Sequence, residues 1–68
     1  MKFIVTRKNA DGTFDDVGML NRFVASYASL RTLLRHGVPA SWRSAGIRVE
    51  VFSDTRFYGD PINVHYLG

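Results

Sequence analysis

Apolar and polar positions alternate along this chain with a period that changes at recognisable break points. From Lys2 to Lys8, Phe3 and Val5 alternate with Ile4 and Thr6 in a β-branched run, which predicts a strand with both faces partly buried. Asn9-Ala10-Asp11-Gly12 predicts a tight turn, because Asn and Asp tolerate left-handed backbone and glycine enters it without a Cβ clash. Thr13-Phe14 and Val17 then return as a second strand, interrupted by Asp15-Asp16 and Gly18. Phe23, Tyr27, Leu30 and Leu34 recur at helical spacing with Leu33 beside them, and His36-Gly37-Val38-Pro39 ends the helix with a glycine and a proline that cannot continue it. The helix has two candidate starts, Asn21 for a helix of about four turns and Ser26 for a shorter one. The shorter is preferred, because a strand continuing through Phe23 gives the first hairpin enough length to support a sheet.

Ala40 to Gly46 reads as a loop of small residues carrying the only tryptophan, Trp42. Ile47, Val49 and Val51 then alternate with Arg48, Glu50 and Phe52 as a strand with one buried and one wetter face. Ser53 to Pro61 is a connection with Phe57 and Tyr58 at its centre. Ile62 to Leu67 is a last strand, with Ile62, Val64 and Tyr66 inward and His65 outward. The order is β-β-α-β-β, which predicts an α+β fold: a small β-β-α-β-β domain with one amphipathic helix packed on a mostly antiparallel sheet. Residues 1–68 are expected to form a single compact domain.

Composition narrows the function. With 68 residues, 46% of them hydrophobic and 22% charged, the chain buries only about 60% of its unfolded surface, leaving little for a deep cleft or a cofactor cradle. The absence of cysteine excludes a disulfide scaffold, a thiolate zinc site and a cysteine nucleophile together. The N-terminal residues have three consecutive apolar positions, far short of a signal peptide or a membrane span of about 20 residues, so a folded cytoplasmic protein with no membrane association is expected.

Charge is unevenly distributed. Residues 1–16 sum to zero and residues 50–68 to −2, whereas Val17 to Val49 contains no acidic residue and holds Arg22, Arg31, Arg35, Arg43 and Arg48, a net +5. Seven of the nine cationic side chains are arginine, whose planar fork suits carboxylate, phosphate and interface contacts. These arginines either pair with the acidic ends of the same chain or present a docking surface.

No pattern of catalysis emerges. Asp15 and Asp16 are the only adjacent carboxylates, and neighbours on a strand point to opposite faces. His36 falls at the helix C-terminus, where its cation suits the last carbonyls, and neither it nor His65 lies in a metal-ligand spacing. The glycines form no phosphate-binding motif, and no serine is linked to a histidine base by a recognisable pattern. The sequence therefore predicts no catalytic residues, no metal, no cofactor, no small-molecule substrate and no enzyme.

Binding remains. Arg35 lies on the helix face away from the leucines, with Arg31 at its border, and Arg43 and Arg48 extend the basic patch. Trp42 either closes the end of the core, the commoner fate of a tryptophan, or stands beside Arg43 as an interface anchor. The predicted partner-binding set is Arg31, Arg35, Trp42, Arg43 and Arg48, facing an acidic surface on a larger macromolecule. A protein complex that the chain regulates or inhibits is favoured, with Phe57 and Tyr58 adding apolar area. The alternative is sequence-tolerant nucleic-acid binding through the same arginines, with Phe52, Phe57 or Tyr58 available to stack bases. A third reading is self-association through a sheet edge, opposed by Lys2 and Lys8 as edge-blunting charges. In size alone, a chain opening on methionine as a complete small reading frame resembles accessory proteins of bacterial viruses that inhibit a host complex.

Overall fold

The computed structural model describes residues 1–53 and 59–68, so Phe57 and Tyr58 lie outside the described residues. Four strands, β1 (Lys2–Arg7), β2 (Arg22–Ser26), β3 (Ile47–Phe52) and β4 (Asn63–Leu67), form an antiparallel sheet in the order β2-β1-β3-β4. Between β2 and β3 the chain makes α1 (Leu30–Thr32), a π-helical turn at Leu33–Gly37, and α2 (Ala40–Ala45). The fold is α+β, with helical segments packed on one sheet face.

Pairing register determines the faces, because residues directly opposite one another project to the same side. Phe3 and Val5 of β1 align with Val51 and Val49 of β3, and with Ala25 and Phe23 of β2. Phe3, Val5, Val49 and Val51, together with Ile47 and Leu33, make the buried core, against which Phe23, Ala25, Tyr27, Leu30, Leu34, Val38 and Trp42 pack. Each fully buried aliphatic or aromatic side chain contributes about 1.5–3 kcal/mol, so this small cluster supplies most of the drive to fold.

The helical segment is more broken than its hydrophobic spacing predicts. Phe23 lies on β2, and α1 starts at neither Asn21 nor Ser26: Ser29 is the N-cap, its Oγ accepting from the Thr32 amide at 3.2 Å. Phe23 and Tyr27 reach the same core as the leucines from a strand and its end, and the helical spacing cannot distinguish that from one continuous helix. Ala40 to Ala45, expected as a loop, is helical: the Pro39 carbonyl accepts from Trp42 and Arg43 amides at 3.0 and 3.2 Å. Gly46 terminates α2 at φ 99°, a buried left-handed turn that directs the chain into β3.

No second strand forms at Thr13 to Val17. The chain between β1 and β2 folds instead around Asn21, which is fully buried. Its Nδ2 donates to the Asp15 carbonyl at 2.8 Å, Asn9 Oδ1 at 2.9 Å and the Arg7 carbonyl at 3.3 Å, and its Oδ1 accepts from the Val17 amide at 3.2 Å. The expected turn does form, with the Gly12 amide bonded to the Asn9 carbonyl at 2.9 Å. The paired carboxylates that follow it belong to this folded connection, which a hairpin would have left in a ladder.

β4 is inverted relative to the expectation. Its partners are Val49 for His65 and Glu50 for Val64, so His65 lies on the core side and Val64 and Tyr66 on the far face. As the outermost strand β4 has few neighbours to bury either face, and alternation alone could not assign its inward side. The sheet order also corrects the role of Lys2 and Lys8: β1 is an interior strand, and among the described residues the sheet edges belong to β2 and β4.

Candidate functional site

Five arginines populate the acid-free middle of the chain, and the fold sorts them into two groups. Arg22 and Arg48 cross the sheet face opposite the helices, on either side of the fully buried Thr6. Arg22 donates from Nε to Thr6 Oγ1 at 3.1 Å and pairs with Asp16 at 3.6 Å, while Arg48 pairs with Glu50 at 3.4 Å. The Arg48 guanidinium lies 5.7 Å from the centre of the Phe14 ring, which meets Tyr66 edge-on at 5.5 Å. Half-buried and engaged within the chain, Arg48 is separated by the sheet from the helical side.

Arg31, Arg35 and Arg43 come together. All three are exposed, and with Leu30 and Leu34 they line a shallow groove of about 470 Å³ between the first helical segment and α2. Among the described residues none of the three has a carboxylate within ion-pair distance. Arg43 forms the groove's far wall, its guanidinium donating to the Leu34 carbonyl at 3.3 Å. Beyond it a second groove, of about 460 Å³, shares Leu34 and Arg43 and reaches Ile47 and Leu67. Arg35 also lies in the last turn of the π-helical segment, where a cation opposes the negative end of the helix dipole.

Trp42 points elsewhere. Half-buried, it packs on Phe23 with ring centres 5.1 Å apart, and the Arg7 guanidinium lies over its ring at 5.3 Å. Its position fixes α2 against β1 and β2, and so fixes Arg43 on the next residue. Phe52, considered as a base-stacking residue, is 4% exposed and unavailable for stacking.

Leu30 and Leu34, which their spacing places on the apolar stripe of the helix, also line the groove. Both touch the core and remain only half-buried, while Leu33 is fully buried. Leu33 and Leu34 are about 100° apart on a helical turn, so Leu33 points straight into the core while Leu34 lies at the edge of the apolar stripe.

The adjacent carboxylates Asp15 and Asp16 hold the connection between β1 and β2. Asp16 accepts from the Met19 amide at 2.8 Å, holding Met19 in left-handed backbone at φ 65°. Asp15 contributes its carbonyl to Asn9 and Asn21 at 3.0 and 2.8 Å. Among the described residues no three His, Cys, Asp or Glu side chains gather as a metal site, and no helix is long and apolar enough to cross a membrane. Compared with protein families, curated proteins and solved structures, the chain matches none.

Proposed function

We propose that the protein is a non-enzymatic binding protein that docks the groove of Arg31, Arg35 and Arg43 onto an acidic surface of a larger macromolecule, a protein complex that it regulates or inhibits. The observation that carries this reading is the sorting of the arginines. Arg22 and Arg48 form ion pairs within the chain, and the three arginines that have none among the described residues converge on an apolar floor. Arginine forks around exposed leucine surface suit acidic side chains flanking an apolar residue, with charge guiding encounter and apolar contact holding the complex.

A protein is favoured over nucleic acid because, among the described residues, Trp42 packs inward on Phe23 and Phe52 is buried, so neither offers the arginines a stacking platform. The proposed site is cytoplasmic, in keeping with a chain free of cysteine.

The test is capture from a native-host lysate by immobilised protein, with and without nuclease, using wild type, Arg35→Glu and Arg43→Glu. A defined protein complex that survives nuclease and is lost with both variants is expected. Capture unchanged by both variants would refute the groove as the site. Capture that collapses with nuclease would instead assign it to phosphate binding, with a salt slope near −3 for about three contacts.

A further inference from the structure

We propose that β4 is a self-pairing edge, joining two copies of this chain antiparallel about a two-fold axis at His65. Sheet edges present unpaired backbone donors and acceptors, and natural proteins usually blunt them with charges, prolines or bulges. Here the two free edges differ. β2 carries Arg22, held by Asp16, whereas β4, Asn63-Val64-His65-Tyr66-Leu67, contains no lysine, arginine, acid or proline. It continues directly from Ile62, and Ile62 and Tyr66 are 67% and 66% exposed.

The strand is complementary to itself. Full overlap of its five residues in antiparallel register places His65 opposite His65 of the second copy, Val64 opposite Tyr66 and Asn63 opposite Leu67. The Val64 and Tyr66 pairs bring a β-branched side chain against an aromatic one twice, a favourable cross-strand combination, and no formally charged side chains oppose each other. The far face gains a continuous apolar stripe from Val64 and Tyr66 of both copies, and an eight-stranded sheet results. An interface of one strand edge is small, so the dimer belongs to the transient class, with Kd on the order of 100 µM. Arg31, Arg35 and Arg43 have no part in it, and self-association is read without any other partner, so this inference and the basic groove stand or fall separately.

Because the chain has no cysteine, one introduced thiol reports the register. Facing residues on the two-fold have Cα atoms about 4.5–5.5 Å apart, within disulfide range, whereas the two copies of residue 67 would be about 14 Å apart. On mild oxidation near 200 µM, His65→Cys is expected to become a covalent dimer and Leu67→Cys to remain monomeric. In sedimentation velocity the wild type should shift toward dimer between about 10 and 500 µM, and Val64→Lys should stay monomeric with its circular dichroism unchanged. A wild type that is monomeric throughout this range, as it would be if β4 accepts a strand from a different protein, overturns the proposal. So does equal cross-linking at positions 65 and 67.

Discussion

Asn21 makes more side-chain hydrogen bonds than any other described residue, and it holds a connection that has no ladder of its own. Removing its amide leaves the Val17 amide and the Asp15 and Arg7 carbonyls to find new partners in a site that excludes water, so Asn21→Ala should cost about 2–3 kcal/mol in urea unfolding. Asn9→Ala, at a half-buried position where water can substitute, should cost less. Asp11 illustrates a different local effect. Its exposed carboxylate accepts from the Thr13 amide at 3.0 Å and Thr13 Oγ1 at 2.7 Å, and these bonds hold its pKa below the ordinary value of 3.8. A depressed folded pKa means the bonds contribute fully above the unfolded value and are lost as pH falls through the folded one. An NMR titration of the Asp11 carboxyl should therefore show a midpoint below 3.8, rising toward it in Thr13→Ala, whose hydroxyl donor is gone.

Among the elements, the π-helical turn depends on a close approach. A Cβ at Gly37 would lie 2.7 Å from the Tyr27 ring, which packs over this backbone. Gly37→Ala should then destabilise the protein by about 1–3 kcal/mol, and most of that cost should disappear when Tyr27 is already Ala, a coupling that a double-mutant cycle reads directly. Elements with a regular alternation were legible in the sequence: β1, buried on both faces, and β3 appear in the fold, as does a helical region ending near Gly37, which starts at Leu30 and not after Ser26. Elements determined by tertiary partners were not. Thr13 to Leu20 follows Asn21, whose four bonds no pattern announces, and β4 takes its facing from the register with β3. At the site, Arg31, Arg35 and Arg43 were legible as acid-free positions near one helix. Arg48 and Trp42 were not separable from them, because separation depends on which side of the sheet each strand and helix presents.

At the scale of the whole molecule, stability is concentrated in few residues. A domain of this length has about 3–10 kcal/mol in total, and truncating a buried leucine typically costs 2–5. Leu33→Ala, at the one fully buried position of the helical segment, should lower the melting temperature by more than about 10 °C, as followed by circular dichroism. Charge reversal at Arg31 or Arg35, on the exposed groove, should leave it nearly unchanged, which makes binding tests there interpretable. The order β2-β1-β3-β4 bears also on synthesis: β1 emerges from the ribosome first yet occupies an interior place in the sheet. The β1–β2 hairpin can close early, but its other side stays open until Ile47–Phe52 has been translated, and a lone two-stranded hairpin is marginal in water. Cooperative folding is therefore expected to wait for β3, with nascent chains stalled before Ile47 remaining protease-sensitive and those released after β3 acquiring resistance together across both helical and strand segments.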